Sequence, residues 1–396
     1  MSLITTYSPL PISFTHGKGA WLYDEKGKQY LDSFSGIAVC NLGHAHPEIT
    51  ATISKQAAKV IHTSNAFRIK NQELLANKLT QLTGMNQVFF ANSGAEANEA
   101  AIKITRLYAH QKAIANPYII VMDGAFHGRT MATLTASNPK VQHGFSPLVP
   151  GFIKVPFNDF AAIEKLVAAH NNIVAIMLEP IQGEGGVHKA NGDYLKKVAS
   201  FCEQQELLLI LDEIQTGVGR TGSLYTFLQH KITPDVVTSA KALGNGMPIG
   251  ACLIAKKAQN LLLPGTHGST FGGNPLACSV ALTVLDIIER EKLCQKVQQN
   301  SQILLNKLHY EISSHKLVEE IRGQGYMLGV ELKQDANAIK AIGLQCGILL
   351  NVTAGKVIRL LPPLIIDELE MGELVTRLTK ALNIFTENMK NPTTHY

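Results

Sequence analysis

Leu207-Leu208-Leu209-Ile210-Leu211-Asp212-Glu213 runs apolar for five residues and ends on two acids. Five successive large aliphatics leave no face for water, so the run reads as a strand buried on both sides, with Asp212 delivered at its carboxyl end. Similar strand candidates lie at 87–91, 118–122, 173–179, 236–240 and 250–255. Long helical patterns intervene, among them 95–112 and 193–205. Alternation of this kind predicts an α/β fold with a mostly parallel central sheet covered on both faces. Ligands of such sheets gather beyond the carboxyl ends of the strands. Glu179, Asp212 and Lys241 are all expected there.

The texture changes after Asn274. Helical patterns at 276–291 and 292–313 give way to short strand candidates at 326–332, 348–352 and 357–361. A final amphipathic helix is expected near 367–385. This reads as a smaller α+β domain, and the strand-like stretch 21–31 is expected to pack against it. The expected division is an N-terminal segment, 1–55, a large ligand-binding domain, 56–285, and a C-terminal small domain, 286–396.

The chain has 396 residues, long enough for more than one packed layer. Its 36 basic and 31 acidic residues are interspersed. A net charge of +5 without a basic run suits anionic metabolites better than nucleic acid. The six cysteines are scattered without CxxC spacing and read as reduced thiols of a cytoplasmic protein. No apolar run approaches the ~18 residues of a membrane span, and no secretory signal is expected.

Several polar positions stand out against bland alternatives. Lys241 lies among Ser239, Ala240, Ala242, Leu243 and Gly244. A loop lysine is ordinarily solvated, but small apolar company desolvates an amine and exposes its lone pair. Asp212 reads either as a loop cap or as an anion facing a ligand. An amine and a carboxylate brought to one rim are what pyridoxal 5'-phosphate requires: the amine forms a Schiff base with its aldehyde, and the carboxylate keeps the ring nitrogen protonated. Asn92-Ser93-Gly94-Ala95-Glu96 has capping-box spacing, and the Gly94 and Ala95 amides at a helix start suit a phosphate. Phe126 offers a planar wall, and Arg129 a fork for a carboxylate. Gly268-Ser269-Thr270-Phe271-Gly272-Gly273 is rich in hydroxyls and bare amides. His44, His46, His62, His127 and His143 lack metal-ligand spacing and read as polar core or loop residues, so no metal is expected.

In order along the chain come Ser93-Gly94-Ala95-Glu96-Ala97-Asn98-Glu99-Ala100, Phe126-His127-Gly128-Arg129-Thr130, Glu179-Pro180-Ile181-Gln182-Gly183-Glu184-Gly185-Gly186, Asp212-Glu213-Ile214-Gln215-Thr216-Gly217, Lys241 and Gly268-Ser269-Thr270-Phe271-Gly272-Gly273-Asn274-Pro275. Together they closely resemble the class III pyridoxal-phosphate-dependent aminotransferases of fold type I, over roughly residues 7–382. The resemblance implies a covalent aldimine on Lys241, Asp212 at the ring nitrogen and Gln215 at the ring oxygen. It implies cofactor contacts from Gly94, Ala95, Phe126, Glu213 and Ile214, and from Thr270 of a neighbouring subunit, so a homodimer with shared sites. Arg129, Ser269, Glu184 and Arg359 are implied as substrate contacts. Ala95 stands where many relatives have Thr, and Ala242 where many have Gly.

Ser35-Gly36-Ile37-Ala38-Val39, Asn41-Leu42-Gly43-His44 and Val357-Ile358-Arg359-Leu360-Leu361-Pro362-Pro363 favour one branch of the family. That branch moves the δ-amino group of N2-acetylornithine to 2-oxoglutarate in arginine biosynthesis. The nearest rivals are donors such as ornithine, succinylornithine, 4-aminobutyrate and succinyl-diaminopimelate, with a non-catalytic cofactor-holding protein further off. No nucleic-acid or membrane partner is implied.

Overall fold

Seven strands form the central sheet in a computed structural model that describes residues 2–390. Their order is Gln87–Ala91, Gly250–Ile254, Val236–Ser239, Leu208–Asp212, Ile173–Leu178, Tyr118–Met122 and Phe152–Val155. Four of the inner strands are buried along their whole length and Tyr118–Met122 at all but its first residue, as their lack of charged residues before the rim allows. Five strands are joined by parallel pairing, with Leu211 opposite Val237 and Asp212 opposite Thr238. Gly250–Ile254 alone runs against its neighbours. That reversal has a consequence for chemistry. Val236–Ser239 and Gly250–Ile254 are adjacent and antiparallel, so the segment between them turns back at the carboxyl rim and carries Lys241 there.

The helix Gly94–Gln111 follows Gln87–Ala91 and packs across the sheet with Ala97, Ala100, Ala101 and Ile104 buried. Its small side chains let the backbone come close. Ser93 caps it by accepting from the Glu96 amide at 3.2 Å. The expected reciprocal bond reaches one residue further back: the Glu96 carboxylate accepts from the Asn92 amide at 2.6 Å. Gly250 is pressed against this turn, and a Cβ there would lie 2.2 Å from the Ser93 carbonyl oxygen.

The stretch 21–31 folds as a hairpin rather than one strand. Trp21–Asp24 and Gln29–Asp32 pair antiparallel around Gly27, whose φ is 77°, and the Asp24 carboxylate accepts from the Lys26 and Lys28 amides. Phe14–Lys18 extends this sheet on one side, and Ile348–Leu349 joins the other in parallel with Gln29–Asp32. A further sheet has the order Val318–Gln324, Met327–Leu332, Val357–Leu360 and Asn351–Thr353. The candidate 348–352 is therefore split between two sheets. Phe14–Lys18, Phe152–Val155 and Val318–Gln324 carry no strand signal in the sequence reading. All three are sheet edges, where water satisfies one side and polar residues are tolerated. The last helix, Glu368–Lys390, continues past the expected 385.

Arg220 ties three distant parts of the chain together. Its fully buried guanidinium donates to the Tyr326 and Pro362 carbonyls at 3.0 and 2.5 Å and to Asn41 Oδ1. All six cysteines are free.

A Gly250→Ala substitution is expected to destabilise the fold by about 1–3 kcal/mol, because the added methyl must push the Ser93 turn aside. Urea denaturation of the variant and the wild-type protein measures this.

Candidate active site

Lys241 begins the turn that returns the chain from Val236–Ser239, and its own backbone is left-handed, with φ 46°. Its side chain lines a cavity of about 380 Å³ beyond the carboxyl ends of the sheet. Phe126, Arg129, Glu179, Glu184, Asp212 and Gln215 line the same cavity. So do Gly94 and Ala95 at the start of their helix, and Ile214. Burial lowers the Lys241 amine to about 8, and the Arg359 guanidinium adds to the effect. Glu184, Asp212 and Glu179 pull the other way without overcoming it. The result is an amine that is neutral far more often near physiological pH than an exposed lysine is.

Asp212 is buried and held from three sides. Oδ2 accepts from Asn98 Nδ2 at 2.8 Å and faces His127 Nδ1 at 2.8 Å; Oδ1 accepts from the Ile214 amide at 3.1 Å. Burial works to lower the His127 pKa, but the Asp212 carboxylate outweighs it and raises the imidazole above its ordinary value. An imidazole 2.8 Å away and two N–H donors satisfy the carboxylate oxygens, so its burial is compensated. Glu179 spans the two loops that flank the cavity: Oε1 accepts from the Phe126 amide at 2.9 Å, and Oε2 from Gly183 at 3.4 Å. Burial pushes its carboxyl well above the usual range.

Opposite lies an ion pair. Arg359 Nη1 reaches Glu184 Oε1 at 2.7 Å and Gln215 Oε1 at 3.2 Å, while Nε and Nη2 both donate to Asn351 Oδ1. Burial alone would raise the Glu184 carboxyl, but the guanidinium holds it below its usual value. Arg359 itself is buried and stands behind Glu184 and Gln215 rather than on the cavity wall. Gly183 passes so close to Gln215 that a Cβ would lie 2.0 Å from Oε1. Arg129 is exposed at the rim, its guanidinium carbon 5.3 Å from the Phe126 ring centroid, within cation–π range.

Three of the expected contacts lie elsewhere in this chain. The Glu213 carboxylate is spent on Thr216 Oγ1 and the Phe227 amide, so it turns away from the cavity. Ser269 Oγ accepts from Asn92 Nδ2 and the Gly272 amide, outside the cavity lining. Thr270 is exposed on the same loop. Conversely, Asn98 and His127 emerge as partners that the sequence alone presents as helix and loop residues, while Glu179 lies at the rim as expected. Asn98 had a signal: it shares the helical face of Gly94, Ala101 and Thr105, a polar side chain on a buried stripe. Among the described residues one grouping has metal-ligand potential, His46 with Glu48 and Glu291, and Arg290 already bonds Glu48 and Glu291.

Residues 4–382 match the family model described as "Aminotransferase class-III". The chain belongs to the class III aminotransferases. This class III aminotransferase is 47% identical to the acetylornithine aminotransferase of Nitrosomonas europaea across 98% of both chains. It is 45% identical to that of Methanocaldococcus jannaschii, covering 97% of this chain and 96% of the relative. Among solved structures it superposes on the ornithine aminotransferase of Toxoplasma gondii with a TM-score of 0.94, at 34% identity, covering 98% of this chain and 94% of the other. The N-acetylornithine aminotransferase of Stenotrophomonas maltophilia gives 0.84 at 37% identity, with coverage of 96% and 97%. The class III fold, fold type I, is thus that of a pyridoxal-phosphate-dependent enzyme.

The donor set suits that cofactor. A desolvated amine, a buried anion, an aromatic ring and the unblocked amides of a helix start line one cavity. A Cβ at Gly94 would lie 2.7 Å from the Ile214 side chain, which would have to shift on the cavity wall to admit it.

Covalent capture of pyridoxal phosphate by the apo-protein is expected to accelerate as pH rises through about 8 and to level off above it, because only the neutral amine attacks. Arg359→Met removes a positive neighbour and should move the inflection upward. Stopped-flow absorbance across pH 6–10 reads both.

Proposed function

We propose that this aminotransferase moves the δ-amino group of N2-acetyl-L-ornithine to 2-oxoglutarate, giving N-acetyl-L-glutamate 5-semialdehyde and L-glutamate. The observation that carries this reading is the run of acetylornithine aminotransferases, 43–47% identical over nearly their full length. The cavity's charges agree with it. Free ornithine would bring a second ammonium, which needs an anion. Every carboxylate on the cavity wall already has partners: Asp212 with His127 and Asn98, Glu179 with two backbone amides, Glu184 with Arg359. An acylated nitrogen is neutral and asks for none. The fold likeness to an ornithine aminotransferase favours the alternative donor, and the test below separates the two.

In this reading the bound cofactor supplies an electron sink for the carbon that loses its proton. Lys241 Nζ would hold the cofactor, and its free amine, neutral when buried, would move that proton as general base. Asp212, held by His127 and Asn98, would pair with the ring nitrogen. Gln215 serves the ring oxygen with its amide nitrogen, its oxygen being engaged by Arg359. Gly94 and Ala95 would receive the phosphate, and Phe126 and Ile214 would contact the ring. Arg129 takes the distant carboxylate of both substrates. Arg359 takes the near carboxylate of glutamate, and Glu184 neutralises it while the acylated donor is bound, since an unpaired buried guanidinium is costly.

The working unit in this proposal is a homodimer in the cytoplasm, serving arginine biosynthesis. Thr270 and Ser269 then act across the interface, Thr270 on the partner's phosphate. Phe67, Ile61 and Phe271 are exposed on segments that pack together, with His62 against the Phe271 ring and Asn65 bonded to the Ser269 and Gly272 carbonyls. Such a patch suits a second copy. No helix among the described residues is long and apolar enough to cross a membrane. The division at 1–55, 56–285 and 286–396 belongs to the same proposal; pairing of Gln29–Asp32 with Ile348–Leu349 supports joining the first part to the last.

Half-reaction rates with N2-acetylornithine, N2-succinylornithine, ornithine and 4-aminobutyrate, followed by the cofactor's visible spectrum, test the donor. The acetylated donor is expected to exceed free ornithine in kcat/KM by at least about tenfold; a faster rate with ornithine or 4-aminobutyrate rejects the assignment. Arg359→Ala is expected to slow the glutamate half-reaction on the order of a hundredfold and the acetylornithine half-reaction far less. Equal losses would remove Arg359 from substrate recognition.

A further inference from the structure

Four successive residues, Ser35, Gly36, Ile37 and Ala38, have left-handed backbones, with φ of 48°, 62°, 68° and 58°. Three of them carry side chains, and Ile37 is β-branched, the residue type least suited to this conformation. Strain of this kind persists only where its surroundings hold it. The segment returns to the right-handed region at Val39, which lines the active-site cavity. What holds the turn is visible. Asp32, itself buried, accepts from the Phe34 and Ser35 amides through Oδ1, at 3.1 and 2.8 Å, and faces His44 Nε2 through Oδ2 at 2.8 Å. Ser35 Oγ donates to the Leu361 carbonyl at 2.7 Å, two residues beyond Arg359. Beyond the turn, the Leu42 amide donates to Asn245 Oδ1 at 2.8 Å, four residues past Lys241.

We propose that Asp32 is a positioning residue for the amino donor: by bridging the Phe34 and Ser35 amides to His44, it holds the left-handed turn that sets Val39 on the substrate wall. The inference rests on the aminotransferase reading but not on which donor is used. Asp32 touches neither the cavity nor Lys241, so its removal acts on the wall and not on proton transfer. The left-handed turn is the element it biases. Glycine at position 37 adopts the same backbone without strain and makes the hold unnecessary.

The test compares Asp32→Ala, Asp32→Asn, Ile37→Gly and Asp32→Ala/Ile37→Gly holoenzymes on whichever donor the wild type uses best. Asp32→Ala is expected to raise the donor KM on the order of tenfold with kcat within about twofold, and to lower Tm, with cofactor absorbance unchanged. Asp32→Asn keeps an acceptor for both amides and should return most of the KM. Ile37→Gly should restore the donor KM in the Asp32→Ala background, whatever the loss of its packing beside Phe34 does to Tm. An unchanged donor KM in Asp32→Ala overturns the proposal, as does a double variant no better than Asp32→Ala. If Asp32→Ala does not fold, the double variant decides: a folded protein with near-wild-type KM supports the proposal, and a second unfolded or high-KM protein ends it. A wild type inactive with every amino donor would instead sink the aminotransferase reading itself.

Discussion

Keeping one lysine amine dry while charges of both signs surround it is the constraint on which the site depends. Burial and Arg359 lower Lys241, and three carboxylates oppose them. Were those carboxylates free, their attraction would hold the amine protonated and unreactive. Each is instead engaged: Asp212 by an imidazole and two amide groups, Glu179 by backbone, Glu184 by a guanidinium. The network matters because an uncompensated charge in this low-dielectric setting is expensive. It also divides labour, leaving one anion and one nucleophile on the same wall.

The fold delivers these groups by topology. Parallel strands bring Glu179 and Asp212 to one rim. The single reversed strand, Gly250–Ile254, makes the chain turn there and puts Lys241 beside them. Gly94 and Gly250 then allow the helix start, the turn and the reversed strand to meet without side chains between them. Lys241 has a left-handed backbone, and Val39 follows four more such residues; both line the cavity. In both places local strain lies next to the cavity.

Much of this was readable from residue order. Long aliphatic runs announced the inner strands within a residue or two, because a strand buried on both faces has no polar position to confuse the pattern. Lys241 and Asp212 stood out as charges placed directly after such runs. Edge strands such as Val318–Gln324 did not, since half-solvated backbone accepts glutamate, arginine and glycine. The roles of His127 and Asn98 were hidden for another reason. Each is defined by a partner 85 or 114 residues away, and only the folded sheet brings them to Asp212. Glu213 misled in the opposite sense. It adjoins Asp212 in sequence, but alternation along an extended chain sends its carboxylate to the other side, toward Thr216 and Phe227.

Borohydride reduction of the holoenzyme, followed by tryptic peptide mapping, tests the centre of the account. A single phosphopyridoxyl label is expected, carried by the peptide containing Lys241. An unlabelled Lys241, with the label on another lysine or none, would contradict it.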